Sequence, residues 1–157
     1  MTTKKYGRIV TVFTDASFCH RTLAAGYAIW MKTDGATFRH AAPFKVAINT
    51  PTQAETAALA NGIIWAATKF NLTSKDYLVA ASDCKDAIKR IDAVCKFKKS
   101  TKEYVERVYK EKLQRGFKLS LRHVPAHRGY GTKRTAVNEW CDVSAKKVMR
   151  NERLNKQ

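Results

Sequence analysis

Two β-forming runs, "AAGYAIWMK" (residues 24–32) and "ATFRHAAPFKVA" (36–47), are separated only by Thr33, Asp34 and Gly35, and this arrangement constrains the fold more than any other feature of the chain. An Asp-Gly pair supplies residues that tolerate positive φ, which a tight antiparallel hairpin requires. Upstream lies "RIVTVFTDASF" (8–18), in which Ile9, Val10, Val12 and Phe13 are β-formers and Thr11 and Thr14 suit a strand. The chain therefore opens with three antiparallel strands.

A change of period follows. "NTPTQAETAALANGIIWAATKF" (49–70) reads as a helix: Thr50 can cap it, Pro51 fits its first position, and Ala57, Ala58, Ile64 and Trp65 supply an apolar face. After a loop over 71–76, "YLVAAS" (77–82) is a short apolar run of buried-strand type. "DCKDAIKRIDAVCKF" (83–97) is amphipathic with Ile88, Ile91 and either Val94 or Cys95 on one side, and residues 98–116 give a further helix stopped at Gly116. "FKLSLRHV" (117–124) alternates like a strand, residues 125–137 read as a loop, and a last helix starts near Asn138. A strand, crossover helix and strand imply parallel pairing in a right-handed unit. The expected fold is α/β, a mixed five-stranded sheet of three antiparallel strands and then parallel strands, flanked by helices.

With 157 residues, 45% of them hydrophobic and 27% charged, the chain is the size of one globular domain. It has no apolar run of membrane-spanning length, and "MTTKKYGRIV" lacks the apolar centre of a secretory signal, so a cytoplasmic location is expected. Cys19, Cys84, Cys95 and Cys141 lack the spacing of a disulfide scaffold and read as reduced. Lys and Arg total 30 against 13 Asp and Glu, a formal charge of +17. Such an excess points to a polyanionic partner, nucleic acid first, although charge alone does not separate this from a generic cationic protein.

Against that background the acids stand out. Asp15 interrupts an apolar strand, Glu55 lies in the first turns of the first long helix, Asp83 directly follows "YLVAAS", and Asp142 falls near the start of the last helix. In a mixed sheet the first and fourth strands can be neighbours, bringing all four carboxylates toward one point. Each has a local explanation. "DAS" can begin a turn, Glu55 stands three residues after Thr52 at capping-box spacing, Asp83 can cap the helix after it, and Asp142 can favour a helix N-terminus. Taken together these explanations weaken, because clustered acids repel unless a cation intervenes. Carboxylate oxygens suit Mg²⁺ or Mn²⁺. Zinc is disfavoured: His123 falls in a predicted strand and His127 in a loop, so with Cys141 they do not share a helix face.

The strings "FTDASF", "AETAALANGI", "ASDCKDAI", "VPAH" and "NEWCD" occur in the order seen in the ribonuclease H family, type 1, and nearly the whole chain resembles a single catalytic domain of that family. On this resemblance residues 1–149 form the catalytic domain, and the basic tail 150–157 is expected to fray. The resemblance implies that Asp15, Glu55, Asp83 and Asp142 are catalytic metal ligands and that His127 is the mobile-loop histidine assisting proton transfer or product departure. It implies two Mg²⁺ ions per site, replaceable by Mn²⁺, and hydrolysis of the RNA strand of an RNA/DNA hybrid, with no membrane and no obligate protein partner. Ser17 is the implied polar contact to RNA and Thr50 a phosphate contact. Three departures are visible: Ala16 replaces the usual glycine, the loop after His127 is longer than in bacterial members, and "NTPTQAE" lacks the asparagines that contact RNA hydroxyls. Thr50, Thr52 or Asn49 is left to make those contacts. Lys98 and Lys99, with Lys85 nearby, are candidates for tracking the DNA strand, whereas Trp30, Trp65 and Trp140 read as core packing. The alternatives are a junction or duplex-DNA endonuclease of the same fold, and a non-catalytic nucleic-acid-binding module.

Overall fold

Asp34 and Gly35 both adopt positive φ, 48° and 79°, and close a two-residue hairpin between β2 (Ala25–Thr33) and β3 (Ala36–Pro43). The computed structural model describes residues 7–97, 102–125 and 133–156, with side chains excepted at 133–135. β1 (Ile9–Phe18) pairs antiparallel with β2 on one side and parallel with β4 (Tyr77–Ser82) on the other, and β5 (Lys118–His123) extends the parallel half. The five strands run in the order β3-β2-β1-β4-β5, the mixed sheet that the sequence predicts.

Side chains alternate across this sheet and so divide the core in two. Val10, Val12, Ile29 and Met31 face α1 (Pro51–Lys69), where they meet Leu59 and Ile63; α2 (Lys85–Phe97) and α3 (Glu103–Arg115) complete that layer. Phe13, Ala28 and Ala81 face the other way, onto Cys141 and Ala145 of α4 (Lys133–Asn155). Both helix layers come close to the strands because small residues permit it. A Cβ placed on Gly62 of α1 would lie 2.5 Å from Thr14 Cγ2, and one on Gly26 of β2 would lie 2.7 Å from Val148 Cβ.

Several boundaries differ from expectation. β1 does not end in a turn at Asp15: Ala16, Ser17 and Phe18 continue the strand, paired with Tyr27, Gly26 and Ala25. α4 begins at Lys133, not near Asn138, because nothing in "KRTAV" opposes a helix. It continues to Asn155, so residues 150–155 are helical where fraying is expected. Gly116, at φ 77°, ends α3 as the sequence predicts. The four cysteines are unpaired. Among the described residues no helix is long and apolar enough to cross a membrane.

Candidate active site

Parallel pairing of β1 with β4 stops at Phe13 and Ala81. Continuing that register by two residues sets Asp15 opposite Asp83, so both acids leave the same end of adjacent parallel strands, where α/β sheets open their crevices. On its other side Asp15 still pairs with Ala28 of β2, which fixes its backbone. Glu55 approaches from the first turns of α1. One carboxylate oxygen from each of Asp15, Glu55 and Asp83 lies within 4.8 Å of the other two.

The capping-box explanation of Glu55 does not hold. α1 is capped by Thr50, whose Oγ1 accepts from the Gln53 backbone N–H at 3.1 Å, and the partner side chain is Gln53, whose Oε1 accepts from Asn49 N–H at 2.9 Å. Thr52 and Glu55 therefore form no capping box. At the start of α2 the Cys84 side chain accepts from a first-turn amide, that of Ala87. The Asp83 turn is fixed by its neighbours: Ser82 Oγ accepts from Cys84 N–H at 3.1 Å, and His123 Nε2 lies 3.1 Å from the Asp83 carbonyl oxygen. His123 thus serves the backbone, and among the described residues the carboxylate group contains neither histidine nor cysteine.

Electrostatics distinguish this cluster from an ordinary buried acid. Asp76 is also buried, 3% exposed, but Arg8 Nη2 donates to it at 3.1 Å and Thr73 N–H at 2.8 Å. Burial alone would raise its pKa, yet the Arg8 and Thr73 hydrogen bonds hold it below the usual carboxylate range. Asp15 is 6% exposed, and its Oδ1 accepts from Ala16 N–H at 2.9 Å. Among the described residues no ion pair reaches Asp15 or Glu55, and Glu55 Oε2 is buried without a hydrogen-bond partner. Burial, and then the Asp83 charge, pushes the Asp15 carboxyl up; burial, and then Asp15, does the same to Glu55.

Asp142 stands apart. It lies nine residues beyond the start of α4, outside the close group, and accepts from Lys146 Nζ at 2.9 Å. Its charge nevertheless acts on Asp15. Ser17, two residues beyond Asp15, shares its face of β1 and is half-buried. Thr50 is exposed at the α1 N-terminus, Thr52 is half-buried with its carbonyl accepting from the Thr56 hydroxyl, and Lys85 is exposed at the start of α2. Trp65 packs at the edge of the larger core, Trp30 and Trp140 at that of the smaller. His127, Lys98 and Lys99 lie outside the described residues. Sequence reasoning missed Gln53, although Thr50-x-x-Gln53 has the capping-box spacing that would have found it.

The family model for RNase H matches residues 7–150. Among solved structures, the chain resembles RNase H1 from the halophilic archaeon Halobacterium salinarum, at 19% identity and a TM-score of 0.58, covering 91% of this chain and 98% of that one. It also resembles the N-terminal RNase H domain of a Mycobacterium tuberculosis protein, at 18% identity and a TM-score of 0.66, covering 96% and 100%. A third likeness is to LC11-RNase H1, isolated from compost by a metagenomic approach and solved in complex with an RNA/DNA hybrid, at 18% identity and a TM-score of 0.67, covering 90% and 97%. At these identities the likeness is one of fold. No curated protein sequence matches.

Proposed function

Because the chain belongs to the RNase H family of hydrolases, we propose that it is a divalent-metal-dependent endonuclease that hydrolyses the RNA strand of RNA/DNA hybrids. The observation that carries this reading is the group of Asp15, Glu55 and Asp83 within 4.8 Å, with Asp15 buried and one Glu55 oxygen buried and unpartnered. Carboxylates gathered this closely repel one another unless they hold protons or a cation, and carboxylate oxygens fit Mg²⁺ or Mn²⁺.

On this reading Asp15, Glu55 and Asp83 would hold the divalent cations, joined by Asp142 once it is released from Lys146. When bound, such ions supply an activated water and stabilise the leaving 3′ oxygen. The protein contributes orientation. The Ala16 amide fixes Asp15 Oδ1, and Ser82 and His123 fix the Asp83 turn. Phe13, Cys141 and Ala145 form a dry wall on the α4 side of the sheet. Ser17 and Thr50 flank the acids where a ribose hydroxyl and a phosphate would lie, and Thr52 lines the same helix start. His127 is assigned the proton-transfer role suited to a group titrating near neutrality. The hybrid bound to LC11-RNase H1 supports the substrate class. Unpaired cysteines accord with a cytoplasmic location.

Strand-labelled RNA/DNA hybrid, RNA duplex, DNA duplex and a four-way DNA junction, each with Mg²⁺ or with chelator, test this directly. The expected result is cleavage of the RNA strand of the hybrid with Mg²⁺ only. Preferred cleavage of the junction or the DNA duplex, or cleavage in chelator, overturns it.

A further inference from the structure

Gln53 is a buried polar side chain, 8% exposed, that the chemistry of the acids does not use. Capping α1 requires only its backbone N–H. Its amide does more: Oε1 accepts from Asn49 N–H at 2.9 Å and Nε2 donates to the Ala47 carbonyl at 3.2 Å. Burial raises the pKa of the Tyr104 phenol, in the first turn of α3, and the Gln53 amide opposes that rise. Beneath this loop Ile48 is buried with Ala25, Ala54 and Ala57, and that small cluster is bordered by Ala16 and Phe18, which follow Asp15 on β1. Residues 47–50 are thus fastened on one side to the helix carrying Glu55 and on the other to the strand carrying Asp15 and Ser17. The polar side chains they expose, beside Ala47, are Asn49 and Thr50.

We propose that Gln53 is a positioning residue for substrate recognition: it holds Asn49 and Thr50 at a fixed offset from Ser17 and the acids, so that both sides of the crevice engage one RNA/DNA hybrid together. The proposal rests on the reading of the site as a hybrid nuclease. Gln53 itself is buried and acts through the loop. Its loss leaves the carboxylates in place and loosens what grips the substrate beside them, so the effect falls on KM and not on kcat.

Gln53→Met keeps length and apolar bulk and removes both side-chain hydrogen bonds. KM for a hybrid substrate should rise about tenfold, the equivalent of one good hydrogen-bonded contact. At saturating hybrid kcat should stay within about twofold of the parent, since no group that meets the reacting phosphate has changed. Thr50→Ala added to Gln53→Met should cost much less than Thr50→Ala alone, because the contact is already displaced. Should Gln53→Met not fold, Tyr104→Phe, which keeps the ring, should raise KM about two- to threefold with kcat unchanged. An unchanged KM in the folded variants, or a fall in kcat with KM intact, overturns the positioning role and leaves the functional reading standing. A parent protein that does not cleave hybrid at all overturns that reading instead.

Discussion

Glu55 and Asp76 are both acids set among apolar neighbours, and their sequence contexts do not separate them; their partners do. Asp76 has Arg8, 68 residues away in sequence, and a long-range ion pair leaves no local signature. Glu55 faces Asp15 and Asp83, whose convergence the order of elements suggests and the β1–β4 register then sets in place. Thr50 caps α1 as the sequence predicts, but Thr50-x-x-Gln53 and Thr52-x-x-Glu55 share the same spacing, so the sequence also offered Glu55 a capping role, and only the backbone hydrogen bonds choose between them. The raised pKa values of the cluster give a signed prediction. A group whose folded pKa exceeds its unfolded value stabilises the fold below the unfolded value and loses that contribution as pH rises through the folded one. Glu55→Gln has no such proton to lose. In chelator its Tm should match the parent's near about pH 5 and exceed it by a few degrees at about pH 8. Adding Mn²⁺ should reverse the order, because the parent binds the ion better. A Tm difference that is constant with pH would remove the cluster from the account.

At the scale of elements, the five strands and their directions were legible because the Asp34-Gly35 turn and the strand-helix-strand order admit few topologies. The end of β1 was not. Pairing with β4 ends at Phe13 while pairing with β2 runs on to Phe18, and a one-dimensional pattern cannot state two different ends. The start of α4 was misplaced because the segment before Asn138 carries no strong apolar period, and its packing against the sheet is a tertiary effect. Gly62 was equally silent, yet it sets how closely α1 lies on β1, seven residues and the same helical stripe beyond Glu55. Gly62→Ala should destabilise the protein by about 1–3 kcal/mol through overpacking against Thr14. It should also lower kcat by moving Glu55 away from Asp15. Thermal melts with single-turnover kinetics check this, and an unchanged melt would mean that α1 has room the structure does not show.

For the molecule as a whole, charge was the clearest feature of composition and the least specific. A surplus of +17 predicts binding to phosphate backbones but says nothing of where. Lys98→Gln/Lys99→Gln should weaken hybrid binding and reduce the slope of log affinity against log salt by about 0.9 per lost contact. Turnover at saturation should hold, and an unchanged slope would move the grip to another basic surface. The central claim is that the acids act on bound hybrid through metal and are not its anchor. Asp83→Asn tests it most directly, since it removes one charge from the cluster while preserving shape. Measured side by side on a labelled hybrid with Mg²⁺, cleavage by Asp83→Asn should be nearly abolished while its dissociation constant stays close to that of the parent. A folded Asp83→Asn protein that cleaves like the parent would contradict the account.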